Sequence, residues 1–510
     1  MPETNEERQM TNKEKIAKLY EILDEADVYR RAVGKIDFDM QTVAPEEGLD
    51  RAGEDEAFLS KKHFELTHSD EFSSLVCGLH DDPSGLSELE NKVVDKLYDE
   101  WKKEKNLSEE FVYKYTLASN KAFSKWLSAK KKNDFSIFRD SFEEVIKLTR
   151  EMIEVRDEKS ATVYDALLDD TERGGSISQL DSFFESLKER IIPLVERIVK
   201  DGKPIREDFM SRKCPVALQS EFSRRLLKAE GLRSEALVLS ESEHPFTTNF
   251  GIHDVRVTTH YYEDNFISNI FTTMHEGGHA LLMQNEPEEF EKNHVSDSVT
   301  NGMHECISRF YENIIGRSEE FIHFIYPQLL EITGDTFADI SERELYEAVN
   351  AVHPSLIRTE SDELTYCLHI IIRYEIEKAF VNGDITVDEI PGMWNKKYKE
   401  YLGVDVPDDA SGCLQDVHWT GGYGYFPSYA LGNAYGAQIL ETMKKDIDVF
   451  ALVREGRLDE IAQWLIKNVF SIASITTPDE WIRKITGESL DPKYYLDYME
   501  KKFGALYSLD

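Results

Sequence analysis

The chain of 510 residues is 41% hydrophobic and 31% charged, a composition typical of a soluble globular protein and unlike that of disordered or membrane-spanning chains. Its formal net charge of -38 is spread along the whole length, and the largest basic run, Lys130 to Lys132, is too short to bind a phosphate backbone. We therefore exclude nucleic acid as a partner and expect an acidic surface that serves solubility.

The first ten residues, MPETNEERQM, lack the basic and apolar regions of a secretory signal. No apolar run approaches the ~20 residues that cross a membrane. The cysteines are odd in number and scattered, which favours reduced thiols over disulfides or a cysteine zinc cluster. These features predict a cytoplasmic protein without a membrane partner.

Helical periodicity dominates the sequence. Residues 138–160 and 180–199 place apolar side chains three and four positions apart, with charged residues between them. Breaks that carry Pro and Gly separate the helices, but none is long or biased enough to be a domain linker. These breaks lie at residues 44–56, 80–85, 171–178 and 200–205. The sequence therefore predicts a mainly α protein in which residues 1–510 form a single unit.

One stretch, Asp254 to Asp264, has consecutive β-branched and aromatic residues. This pattern predicts a strand, and hence a small β-sheet. The predicted strand lies immediately before the most informative helix of the chain.

That helix spans residues 266–284 and contains the pattern HEGGH. His275 and His279 are four residues apart, so both imidazoles lie on one helical face and can bind one metal ion. Glu276 lies beside that ion, where a carboxylate can take a proton from an activated water molecule. The alternative is a buried helix in which both histidines are held by ordinary hydrogen bonds.

Two adjacent glycines, Gly277 and Gly278, lie between the histidines. Together they cost roughly 2 kcal/mol of helix propensity. We therefore expect the substrate or another backbone segment to pass close to this turn.

A catalytic zinc ion needs a third protein ligand and an open position for water. Glu305 is the best candidate, because residues 303–316 form a predicted buried helix in which a carboxylate needs a cation. An exposed helix glutamate is the alternative. In a familiar variant of this site an Asp lies four residues after the ligand Glu, but here that position is Arg309. Glu312 is predicted either to accept a hydrogen bond from a ligand histidine or to form a surface salt bridge.

Several short motifs resemble those of the carboxypeptidase Taq family of metallocarboxypeptidases, in the order that the family shows. They are HPF at 244–246, DVRVT at 254–258, HEGGH at 275–279, IRTESD at 357–362 and GCLQDVHW at 412–419. Similarity extends upstream through IDFDMQTVAPEEG at 36–48 and YDALLDD at 164–170, so it covers nearly the whole chain.

The chain departs from the family pattern at a few positions. After Glu305 it has Cys306 and Ile307, where the family usually has Ser or Gly followed by Gln. His260 replaces a common Arg, and Phe38 replaces a common Trp. These departures bear on substrate preference more than on catalysis.

The resemblance implies a carboxypeptidase that releases single residues from peptide substrates, with broad preference and poor action on terminal Pro. It also implies a helical homodimer with a deep groove between two helical halves, about 1–200 and 201–510, and the metal at its floor. We expect one Zn2+ ion per chain, although two imidazoles and a carboxylate also accept Co2+ or Mn2+.

An exopeptidase must bind a free carboxylate, and a planar guanidinium can do so with two hydrogen bonds. Arg358 is the preferred candidate and Arg256 the second. The alternative for each arginine is a structural ion pair, of Arg256 with Asp254 or of Arg358 with Asp362.

An oxyanion in the transition state needs a further donor, and we assign this role to His418 and Tyr425 first and to Tyr429 second. Any of these tyrosines can instead be a packing residue. His244 and Asp416 complete the predicted substrate-binding set, with structural hydrogen bonds as the competing role.

Two other functions remain open. A helical zinc oligoendopeptidase uses the same metal ligands and cuts internally. An inactive peptide-binding protein is the other, motivated by Cys306 and His260, although the complete set of ligands and base argues against it.

Overall fold

The computed structural model describes residues 10–157, 159–296 and 298–509. Helices dominate this part of the chain, which also has one small sheet. The helices are α1 (Asn12–Thr42), α2 (Leu49–Thr67), α3 (Asp70–Asp81), α4 (Glu88–Glu104), α5 (Glu109–Lys132), α6 (Ser136–Glu154), α7 (Val163–Thr171), α8 (Ile177–Asp201), α9 (Val216–Ala229), α10 (Phe266–Asn285), α11 (Glu288–Lys292), α12 (Asn301–Arg309), α13 (Glu319–Thr333), α14 (Glu342–Val349), α15 (Tyr366–Asn382), α16 (Ile390–Leu402), α17 (Phe426–Met443), α18 (Val449–Arg454), α19 (Leu458–Asn468), α20 (Pro478–Thr486) and α21 (Lys493–Tyr507). The predicted mainly α class is confirmed. None of the helices in the described ranges has both the length and the apolar composition that crossing a membrane requires.

The sheet has three strands, β1 (Leu237–Glu241), β2 (Thr247–Asn249) and β3 (Val255–Thr259), in the order β1-β3-β2. The central strand β3 runs parallel to β1 and antiparallel to β2. The predicted strand is confirmed but ends earlier, because the pairing with β1 stops where Glu241 meets Thr259. Beyond that pair the chain turns towards α10.

Helix α10 carries the HEGGH motif and matches the predicted helix to within one residue at its end. The side chain of Asn265 accepts a hydrogen bond from Ser268 N and so caps the first turn. Most residues of α10 are buried, as expected for a helix that is apolar on most sides. It packs against α9, α12 and strands β2 and β3.

The predicted break at residues 44–56 is wrong in its second half. Helix α2 begins at Leu49 and includes Gly53. A Cβ atom added to Gly53 would meet no other atom within 4 Å. A single glycine at such a helical position lowers helix propensity without ending the helix. The breaks before α4, before α8 and after α8 lie where the sequence predicts them.

Two groups of buried apolar side chains form the core. The larger extends from Ala118 in α5 to Tyr507 in α21, and the smaller joins α1, α3 and α4 with Phe290 and Val295. The described cysteines have free thiols. The division into halves near residue 200 and the deep groove stay predictions.

Candidate active site

The three predicted ligands converge. Their ligand atoms on His275, His279 and Glu305 all lie within 4.8 Å of one another, and His275 Nε2 is 3.8 Å from Glu305 Oε2. Glu305 is buried, and Ser308 Oγ donates to its Oε2 at 3.0 Å. Two imidazoles and a buried carboxylate at this spacing are a donor set that fits one divalent cation.

Close backbone packing explains the two glycines of the motif. A Cβ atom on Gly278 would lie 2.8 Å from both Ile307 O and Ser308 Cα of α12. A Cβ atom on Gly277 would lie 2.1 Å from Glu230 Oε2. The expected close approach of another backbone segment is therefore confirmed at Gly278, and it brings α12, with Glu305, against α10.

Glu276 is held by a residue that the sequence reasoning missed. Thr247 Oγ1 of β2 lies 2.7 Å from Glu276 Oε2 and 3.1 Å from Glu276 O. Burial raises the pKa of Glu276, while the charge of His275 and the hydrogen bond from Thr247 oppose this rise. The position of Thr247, three residues after His244 of the HPF motif, is the signal that was available in the sequence.

A π-helical segment, Phe310–Ile315, continues α12 and places Glu312 beside His275, a predicted ligand. Glu312 Oε2 lies 2.8 Å from His275 Nδ1 and 3.1 Å from Arg309 Nη1. Although burial raises the pKa of a carboxyl, Arg309 and the hydrogen bond from His275 lower the pKa of Glu312 to about 2. An ionised carboxylate only accepts, so His275 Nδ1 carries the hydrogen and Nε2 is left for a metal. Of the two roles predicted for Glu312, the structure shows the contact with the ligand histidine.

Arg358 pairs with Asp416, and not with Asp362 as the sequence had suggested as an alternative. Asp416 Oδ1 lies 3.0 Å from Arg358 Nε and 2.9 Å from Arg358 Nη2. Its Oδ2 accepts from Nε of Arg373 at 2.6 Å. Burial opposes ionisation, but the two guanidinium groups hold the pKa of Asp416 well below its usual range. Arg373 was missed, although an arginine inside the apolar run of α15 must have a buried partner.

The three predicted oxyanion donors lie together at the start of α17. His418 belongs to the 3-10 turn Val417–Thr420, Tyr425 precedes the helix, and Tyr429 lies in its first turn. The ring centroids of His418 and Tyr425 are 5.8 Å apart, and those of Tyr425 and Tyr429 are 5.2 Å apart. The Tyr429 ring lies 5.2 Å from Arg358 Cζ, so this aromatic group borders the arginine.

These groups are neutral near pH 7. Burial lowers the pKa of His418 to about 4, against the opposing charge of Asp416. Its buried Nδ1 has no hydrogen-bond partner among the described residues. Burial, followed by the charge of Glu305, raises the pKa of Tyr425 to about 12. A neutral imidazole and a protonated phenol can each donate a hydrogen bond to a developing oxyanion.

The structure does not bring Arg256 or His244 to the metal ligands. Arg256 donates to both carboxylate oxygens of Asp254, at 2.9 and 3.1 Å, and its guanidinium lies over the rings of Phe38 and Phe250. This is the ion pair that the sequence left open as the alternative. His244 is exposed to solvent. Among the described residues, neither side chain forms a hydrogen bond or an ion pair with the three predicted ligands.

Several known proteins resemble this chain over almost its whole length. Carboxypeptidase 1 of Bacillus subtilis is 39% identical over 492 residues, covering 96% of this chain and 98% of that protein. The solved structure of metallocarboxypeptidase 1 of Trypanosoma cruzi has a TM-score of 0.92 at 32% identity, covering 97% of this chain and 100% of that one. An M32 carboxypeptidase from Deinococcus radiodurans R1 has a TM-score of 0.93 at 28% identity, with coverage of 97% and 100%.

The family profile described as carboxypeptidase Taq (M32) metallopeptidase matches residues 18–503. The profile and these relatives span almost the whole chain, and the chain has three side chains placed to hold a metal ion. The chain therefore belongs to the carboxypeptidase Taq (M32) family of metallopeptidases.

Proposed function

We propose that this member of a metallocarboxypeptidase family releases single residues from the carboxyl ends of peptides, with broad preference and poor action on terminal Pro. The observation that carries the proposal is a metal donor set next to the buried carboxylate of Glu276, connected through Arg309 and Tyr366 to the buried guanidinium of Arg358. Such a combination suits hydrolysis of the bond next to a free carboxylate.

His275, His279 and Glu305 would hold one ion per chain, and we propose zinc. When bound, the ion supplies a Lewis acid that activates water and polarises the scissile carbonyl. Glu312 keeps the hydrogen of His275 on Nδ1, so that Nε2 is a ready ligand.

Glu276 acts as the general base. Thr247 occupies its Oε2, whereas Oε1 accepts no hydrogen bond from the residues that the structure describes. Oε1 therefore takes the proton of the attacking water and passes it to the departing amine nitrogen. Glu276 is only 7% exposed, and the hydrogen bond from Thr247 fixes the direction of its carboxylate.

His418 and Tyr425 donate hydrogen bonds to the oxyanion of the tetrahedral intermediate, with Tyr429 as a further donor. Two observations support this assignment: the side chains are neutral near pH 7, and their rings lie close to one another at the start of α17. One such donor contributes about 3 kcal/mol in comparable sites.

Arg358 binds the terminal carboxylate of the peptide. Asp416 Oδ1 accepts a hydrogen bond from Nε and lies 2.9 Å from Nη2, and the hydroxyl of Tyr366 accepts one N–H of Nη1. One further N–H of Nη1 and the N–H groups of Nη2 are left to donate to the substrate carboxylate. The fixed partners hold the guanidinium in place before the substrate arrives.

Digestion of a peptide blocked at its amino end tests the proposal, with products followed by mass. We expect stepwise loss of residues from the carboxyl end. A single internal cut would instead establish the oligoendopeptidase alternative. No cleavage by the zinc-loaded protein would leave the peptide-binding alternative.

Two arginine variants test which arginine binds the terminal carboxylate of the peptide, a role called the clamp below. Arg358→Ala should raise KM at least about tenfold, because it removes charge-assisted hydrogen bonds to the carboxylate. Arg256→Ala is the matched control, since Arg256 is held by Asp254, and it should leave KM unchanged. The reverse result would move the clamp to Arg256. Glu276→Gln should lower kcat about 10^3-fold while the metal stays bound.

We also propose a cytoplasmic homodimer, as family resemblance implies. Light scattering of the purified protein measures its mass in solution. A monomer at micromolar concentration would contradict the dimer.

A further inference from the structure

Tyr366, the first residue of α15, lies between two arginines of the site. Arg309 Cζ lies 4.1 Å from the centroid of its ring. Its hydroxyl accepts a hydrogen bond from Arg358 Nη1 at 3.1 Å. The side chain is buried, and the Tyr429 ring meets it edge-on at 6.2 Å. One tyrosine thus has a cation on its face and a second cation at its hydroxyl.

The ring side of Tyr366 leads to the metal ligands. Arg309 lies one helical turn after Glu305, and its Nε is 3.7 Å from Glu305 Oε2. Arg309 Nη1 also donates to Glu312 Oε2, the atom that receives the hydrogen bond from His275. A guanidinium stacked on an aromatic ring keeps its planar orientation. The ring of Tyr366 therefore supports the arginine that contacts the carboxylates around the metal site.

The hydroxyl side of Tyr366 leads to the proposed clamp. Arg358 is fixed by Asp416 through Nε and Nη2 and by Tyr366 through Nη1. Asp416 is in turn fixed by Arg373, which is fully buried. Tyr366 thus contacts both Arg358, which is held by Asp416, and Arg309, which contacts Glu305 and Glu312.

We propose that Tyr366 is a positioning residue that sets the placement of Arg358 relative to the metal ligands, and so selects the last peptide bond for cleavage. This inference rests on the proposed function, in which Arg358 binds the terminal carboxylate. The separation between clamp and metal decides how many residues lie beyond the scissile bond. A tyrosine suits this task because its ring is rigid and has only two side-chain torsions, so the distance between its face and its hydroxyl is fixed.

Tyr366→Phe tests the proposal, because it keeps the ring beneath Arg309 and removes only the contact with Arg358. KM for a peptide with a free carboxylate should rise about five- to tenfold, as for loss of one hydrogen bond. kcat should stay within about twofold, and the share of products that have lost two residues in one cut should rise. The inhibition constant of a free product amino acid should rise with KM, whereas that of its amide should not.

Tyr374→Phe is the matched control. Tyr374 lies two turns later in α15, is buried, and donates to Asp181 Oδ1 at 2.8 Å. The Tyr374→Phe variant should be less stable than wild type, with no change in KM or in the product pattern. A merely structural role for Tyr366 predicts the same behaviour for both variants.

The outcomes separate the two proposals. Unchanged KM, inhibition constant and product pattern in Tyr366→Phe, with an active wild-type carboxypeptidase, would overturn the positioning role alone. A wild-type enzyme that removes no carboxyl-terminal residues would overturn the proposed function and this inference with it. A rise in KM of equal size in Tyr374→Phe would also overturn the positioning role.

Discussion

Gly432 of α17 lies directly against the backbone of Glu305, the proposed carboxylate ligand on α12. A Cβ atom on Gly432 would lie 2.7 Å from both the carbonyl carbon and the Cβ atom of Glu305. Contacts this short do not occur between real side chains and a neighbouring backbone. The position of the ligand therefore depends on the absence of a side chain one helix away.

We expect Gly432→Ala to displace α12 and to weaken metal binding by about tenfold, with a loss of about 1–3 kcal/mol in the free energy of unfolding. Titration calorimetry and denaturant unfolding measure the two effects. Gly53→Ala is the control, because Gly53 is helical and an added Cβ meets nothing within 4 Å. It should stabilise the protein slightly. Wild-type metal affinity in Gly432→Ala would show that α12 yields without moving the ligand.

The sequence predicted the parts of the site that follow from local spacing. His275 and His279 share a helical face because of the i, i+4 geometry, and Glu305 was recognised as a carboxylate in an apolar helix. The pairing of Arg256 with Asp254 also follows from local geometry, since side chains two residues apart lie on the same side of a strand.

Contacts between distant elements could not be read from periodicity. Thr247 reaches Glu276 from strand β2, and the π-helical segment that places Glu312 interrupts a pattern that otherwise indicates one continuous α-helix. Asp416 and Arg373 are 43 residues apart along the chain. Their pairing depends on how the loop before α17 packs against α15, which is a tertiary property.

Thr247→Val should shift the acid limb of the kcat/KM profile to higher pH. The hydrogen bond from Thr247 favours the ionised form of Glu276, so removing it raises the pKa of that carboxyl further. Below the new pKa more of the base is protonated and inactive. Thr248→Val, at the next position of β2, is the control. An unmoved acid limb in Thr247→Val would show that this hydrogen bond does not govern the base.

Glu312→Gln should lower metal affinity about 10- to 100-fold, because a neutral amide no longer fixes the hydrogen of His275 on Nδ1 with a charged acceptor. Competition with a chromogenic chelator measures this affinity. Glu342→Gln is the matched control, since Glu342 Oε1 lies 2.8 Å from His323 Nδ1 in a pair outside the site. Equal affinities for wild type and Glu312→Gln would contradict the assigned role.

His418 makes a specific contribution to the pH dependence of stability. Burial lowers the pKa of His418 to about 4 in the folded protein, whereas an unfolded histidine titrates near pH 6.5. Between these values the unfolded chain binds more protons, so stability rises with pH through this window and is lost as the pH falls from about 6.5 to about 4. Between pH 7 and about pH 4.5, wild type should therefore lose about 2 kcal/mol more stability than His418→Asn, which lacks the imidazole. Urea unfolding at the two pH values measures the difference, and His244→Asn reports the effect of removing an exposed imidazole. If wild type and His418→Asn lose the same stability, the imidazole is not held neutral by burial, and the case for His418 as a neutral donor to the oxyanion fails with it.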